Sequence, residues 1–86
     1  MSTSPRSNVE RSHEAIVAAE ELTIQFLLGL ETEMKRQGVS RYELAARMGV
    51  TRSYVTQVFN RNLNLQLYTM ARLAEALGLQ VRVELV

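Results

Sequence analysis

Cysteine and aspartate are both missing from this chain of 86 residues. Without cysteine there is no disulfide, no thiol nucleophile and no thiolate zinc site. Without aspartate the side-chain carboxylates are all glutamates, and none of them has the spacing of a paired metal ligand set. The lone histidine, His13, therefore lacks partners for catalysis or metal binding and reads as a helix-surface residue. No glycine-rich phosphate loop and no nucleophile motif is present. The chain is read as a non-enzyme with no cofactor and no metal. It also lacks any apolar run near the ~20 residues of a membrane span. Its polar start, Met1 to Asn8, lacks the apolar centre of a secretion signal. The expectation is a soluble, cytoplasmic protein with no membrane partner.

What is present suits one small domain. Hydrophobic residues make up 47% of the chain, an ordinary share for a globular protein. A core this small leaves a thin stability margin, and with no staple or metal, dimerisation is the remaining common way to enlarge it. Net charge is only +1, but it is unevenly spread. Residues 1–38 carry four basic side chains against six glutamates, a net −2; residues 39–86 carry six arginines against three glutamates, a net +3. Four of those arginines (Arg41, Arg47, Arg52, Arg61) fall within a stretch of about twenty residues. A locally basic segment on a nearly neutral chain suits a polyanion-facing surface.

Four segments follow from the patterning. Residues 1–8, with three serines, a threonine and the only proline, read as a disordered N-terminus. Residues 9–38 are a helical region: Ile16, Leu22, Phe26, Leu27, Leu30 and Met34 recur at three- and four-residue spacing. Ser7 with Glu10 has the spacing of a capping box, and Ser12 is a second candidate cap. The length favours a break or bend near Glu21 to Thr23. Gly29 reads as a close-packing position and Gly38 as the stop.

Residues 39–78 hold three shorter helices. Ser40 and Thr51 are the caps of the first two, Gly49 breaks between them, Asn60 to Asn64 is a loop, and Leu67 to Leu77 is apolar at helical spacing up to Gly78. In residues 79–86 the period changes: Val81, Val83 and Leu85 alternate with Arg82 and Glu84, a strand signal. The expected fold is mainly α, a compact helix-turn-helix bundle of about five helices, with one C-terminal β-strand pairing across a homodimer.

The informative stretch is Arg41 to Asn60. A helix-turn-helix needs a small residue where two helices cross, a glycine in the tight turn, and inward apolar residues that set the crossing angle. Ala45 is the small residue, Gly49 can take positive φ, and Leu44, Met48, Val50, Val55 and Val58 supply the apolar contacts. Arg52, Ser53, Thr56 and Gln57 are then left pointing outward.

On these residues the segment Ser40-Arg-Tyr-Glu-Leu-Ala-Ala-Arg-Met-Gly-Val-Thr-Arg-Ser-Tyr-Val-Thr-Gln-Val58 resembles the phage-repressor-like, xenobiotic-response-element (XRE) family of helix-turn-helix proteins. The tail to Leu85 is similar to family members, many of them antitoxin-like, that end in a dimerising strand. The sequence departs from the family pattern in Arg61, where glycine is usual, in Phe59, where glutamate is frequent, and in Gln66, a poorer cap than the usual threonine. Phe59 is expected to pack inward.

The resemblance implies a sequence-specific, DNA-binding transcriptional regulator, a repressor that binds a palindromic operator on double-stranded DNA as a homodimer. By position it places Thr51, Arg52, Ser53, Thr56 and Gln57 towards base edges. It places Ser40, Arg41, Tyr54, Asn60, Arg61 and Asn62 near phosphates. Dimerisation falls to Val81, Arg82, Val83, Glu84 and Leu85. An antiparallel pairing centred on Val83 sets Arg82 opposite Glu84 of the mate and Val81 opposite Leu85, whereas centring on either charged residue opposes like charges. The alternative is an antitoxin that neutralises a toxin protein through the Val9–Gln37 region and autoregulates its operon.

Overall fold

A computed structural model describes residues 12–60 and 65–86. The expectations for residues 1–8, for the Ser7–Glu10 capping box and for Arg61 and Asn62 lie outside the described residues. Four helices are present among the described residues: α1 His13–Gln37, α2 Arg41–Met48, α3 Arg52–Asn60 and α4 Leu67–Ala76. The count is therefore four and not five, because the expected break in the first helical region does not occur.

α1 runs unbroken for 25 residues. Ser12 caps it, its Oγ accepting from the Ala15 N–H at 3.2 Å. At the expected break the Thr23 hydroxyl donates back to the Ala19 carbonyl at 3.0 Å, a bond that satisfies the polar side chain inside the helix. No glycine or proline lies in that turn to interrupt it. Thr23, Leu27, Leu30 and Met34 form the buried stripe. Leu22 departs from expectation and is 64% exposed, and Ile16 also remains exposed. Gly29 departs as well. A Cβ built there meets nothing within 4 Å, so it is not a close-packing position.

α2 packs on α3 and on α4, and α4 also meets α1. Leu44 of α2, Val55 of α3 and Leu73 of α4 are fully buried where these helices converge. Ala45, Met48, Val58, Val39 and Leu77 complete the core, with Phe59 and Val50 half-buried against it. Burying a residue such as Leu44 contributes roughly 2 kcal/mol by area alone.

The two links between α1, α2 and α3 are made by the same device. Gly49 sits at φ 73° in the left-handed region, which an L side chain enters at a cost. That turn lets the Val50 N–H reach the Ala45 carbonyl at 3.0 Å and places Val50 against the core. Gly38 does the same after α1.

Residues 79–86 form no strand in a single copy. A strand exists only as a member of a ladder, and no described segment of the same copy offers its backbone to this one. Val83 is 70% and Leu85 98% exposed. Arg82 Nε lies 3.2 Å from Glu84 Oε2 within the chain, so the two charges share one side of the tail.

Candidate nucleic-acid interface

α3 is built to show a polar face. Its inward residues, Val55 and Val58, are buried. At 3.6 residues per turn, Ser53, Thr56, Gln57 and Asn60 then lie on the opposite side, with Arg52 on one flank and Tyr54 on the other. Ser53, Gln57, Asn60, Arg52 and Tyr54 are exposed and Thr56 is half-buried. Thr51 closes the start of the helix, its Oγ accepting from the Tyr54 N–H at 3.0 Å. The base-facing set expected from the sequence is thus gathered on one helix. Thr51, Arg52, Ser53 and Gln57 are exposed and Thr56 is half-buried, with Thr51 also serving as the cap.

The expected phosphate set divides. Ser40 caps α2 by accepting from the Glu43 N–H at 3.1 Å, which leaves its hydroxyl proton available to donate. Arg41 is turned inward across the domain. Its guanidinium stands 4.5 Å from the centre of the Phe59 ring and 3.5 Å from Glu31 Oε2. It thereby ties α1, α2 and the end of α3 together through a cation–π contact and an ion pair. The side chain keeps 37% exposure, enough for spare donors to reach solvent.

Two arginines have roles that sequence reasoning missed. Arg47 donates to the Ala76 carbonyl at 3.0 Å and to Glu43 at 3.0 Å, and Arg72 donates to the Met48 carbonyl. Both bind the last turn of one helix to another and satisfy carbonyls that a helix end leaves orphaned. For Arg47 the available signal was its place in the last turn of α2; Arg72 lies in mid-helix and gave none. Of the four clustered arginines, Arg52 is the one on a described surface with no ion pair among the described residues.

One acidic side chain is perturbed. The Glu33 carboxylate, at the end of α1, accepts from Arg36 and from Gln37 Nε2 at 2.9 Å. These donors, Arg36 first, hold its pKa down at about 2. Gln37 also donates to the Leu77 carbonyl at 2.8 Å, so the cluster connects α1 to the end of α4.

The arrangement is a two-helix unit that presents hydroxyl, amide and guanidinium groups, the last from Arg52, on an exposed helix. Such a surface matches the donor and acceptor pattern of a major groove. The sequence profile of the family described as Helix-turn-helix matches residues 30–83. A search of curated proteins found no match, and neither did a search of solved structures. No helix among the described residues is long and apolar enough to cross a membrane.

Proposed function

The chain belongs to the XRE-type helix-turn-helix family of DNA-binding transcription regulators, and from that premise we propose that it is a repressor that binds a palindromic operator as a homodimer. The observation that carries the reading is the division of α3: Val55 and Val58 buried, Arg52, Ser53 and Gln57 exposed. A helix whose polar side is exposed, seated on a fixed crossing, can enter the major groove without rearrangement. Gln57 pairs with adenine and Arg52 with guanine by bidentate hydrogen bonds. Exposed α3 and α2 N-termini, with Ser40, face the phosphates. Occupancy of the operator then excludes polymerase by size alone.

The dimer reading rests on the tail. From Val81 to Leu85 the backbone makes no main-chain hydrogen bond among the described residues, while apolar and charged side chains alternate. A second tail, antiparallel across a two-fold axis, satisfies the ladder and opposes Arg82 to Glu84. In-vitro selection from random duplexes tests the whole reading. Inverted repeats with half-sites about one helical turn, ~34 Å, apart are the expected product. A single non-palindromic target would overturn the dimeric mode.

The second reading is an antitoxin that also controls its own operon. It is favoured by Val17, Ile24 and Leu28, which are exposed and lie along one side of α1 at spacings of seven and four. Co-expression with the neighbouring reading frame tests it: rescue of growth by the wild-type chain, lost with Ile24→Asp, supports the antitoxin.

A further inference from the structure

The first two thirds of α1, His13 to Gly29, precedes the stretch matched by the family profile. It does not lie idle. With α4 and the tail it walls a groove of about 550 Å³. Ala19, Leu22 and Phe26 of α1, Leu67 and Met70 of α4, and Val81 and Val83 of the tail give it an apolar lining. Leu22 and Leu67, which line it from different helices, are both more than half exposed. Nothing in the described chain fills the space between them, yet the chain carries an apolar residue of suitable size, Leu85, 98% exposed two positions beyond Val83.

We propose that this groove receives Leu85 of a second copy, so that α1 and not only the tail makes the dimer. The inference rests on the homodimer reading above and specifies its docking surface. The rim is charge self-complementary: Arg82 and Glu84 line the same groove, and a two-fold axis at Val83 sets each against the other's opposite number. That register places the mate's Leu85 directly across from Val81, on the same side of the ribbon and within about 5 Å between Cβ atoms. Val81 lies in the groove, so the incoming Leu85 faces Leu22 and Phe26. Two such insertions, one per copy, convert four exposed apolar patches into two buried contacts. Each removes a leucine from water, which corresponds to a tenfold or greater change in the dimer constant.

The absence of cysteine makes the test clean, because every thiol introduced is the reporter. The full-length chain is prepared as Val83→Cys, as Leu22→Cys and as Leu85→Cys; all three sites are exposed, so folding does not depend on them. Oxidation of Val83→Cys reads the ribbon. A short bis-maleimide added to a mixture of Leu22→Cys and mass-tagged Leu85→Cys reads the groove, since in that mixture the cross-link between them can only join two copies. The expected result is a Val83–Val83 disulfide together with a Leu22–Leu85 cross-link, and a dimer constant weakened about tenfold or more by Leu85→Asp. A Val83 disulfide with no Leu22–Leu85 product overturns the groove proposal and leaves the dimer standing. No inter-copy product at either site overturns the dimer reading and, with it, the groove.

Discussion

Arg41 and Arg52 carry the same charge and lie on adjacent helices, yet their surroundings give them different work. Arg52 sits on the exposed flank of α3, where a guanidinium can form two parallel hydrogen bonds to a guanine edge. Arg52→Ala and Gln57→Ala should each cost about 1–3 kcal/mol of specific binding and relax base preference at one position. Titration of labelled duplexes checks this; a double variant with wild-type affinity for a selected operator would remove these residues from base reading. Arg41 is already held by the Phe59 ring and Glu31. A phosphate contact contributes about −0.9 to the slope of log affinity against log salt. Arg41→Ala should therefore lower affinity by loosening the end of α3 while leaving that slope unchanged. A slope shallower by about 0.9 would restore it to the phosphate contacts.

At the scale of the element, α1 offers two separable tests. Gly29 lies in mid-helix with open space where a side chain would go. Gly29→Ala should stabilise the protein by about 0.5–1 kcal/mol, since alanine loses less backbone freedom on folding. Urea denaturation measures it, and destabilisation would mean that the position has a packing partner. Glu33 gives the pH dependence. Its pKa is depressed from 4.5 to about 2. Its contribution is thus fully present above the unfolded value and is lost as pH falls from about 4.5 through about 2. Glu33→Gln should be less stable than the parent at pH 7, and the gap should shrink as pH falls below about 4.5 and close only below about 2. A gap that stays constant with pH would show that the carboxylate charge is not what holds the α1–α4 end together. Gly49 belongs to this scale too. Gly49→Ala places a Cβ at φ 73° and should cost about 1–2 kcal/mol in thermal or urea unfolding.

For the whole molecule the deciding quantity is how many copies bind. A chain cut after Gly78 keeps the buried residues of α2, α3 and α4 but lacks the tail. It should sediment as a monomer and bind an inverted repeat much more weakly than the full chain, since each copy then pays separately for association. A truncated chain that remains a dimer of unchanged affinity would exclude the tail as the main contact. Exchanging Arg82 and Glu84 together should be tolerated, whereas Arg82→Glu alone should loosen the dimer by opposing like charges across the ribbon. Sedimentation equilibrium distinguishes the two.

What the sequence by itself determined lies within short reach along the chain. Ser40, Thr51, Gly38 and Gly49 were legible because caps and left-handed turns act over three or four residues. Leu44, Ala45, Met48, Val55 and Val58 were legible because the helical period states which side is apolar. The grouping of Arg52, Ser53, Thr56 and Gln57 outward follows from the same period. Tertiary structure alone decided how far that apolar side stays covered. Leu22 has the right spacing but lines an open groove and stays 64% exposed, which only the packing of α1, α4 and the tail reveals. It also decided which charges are spent inside the molecule: Arg41, Arg47 and Arg72 find Phe59, Ala76 and Met48 on other helices, separated by up to 29 residues in sequence. The physical reason is one of range. Periodicity and capping are local energies, repeated every turn. An ion pair, a filled groove or a β-ladder exists only when a distant partner, or a second copy, has been brought alongside.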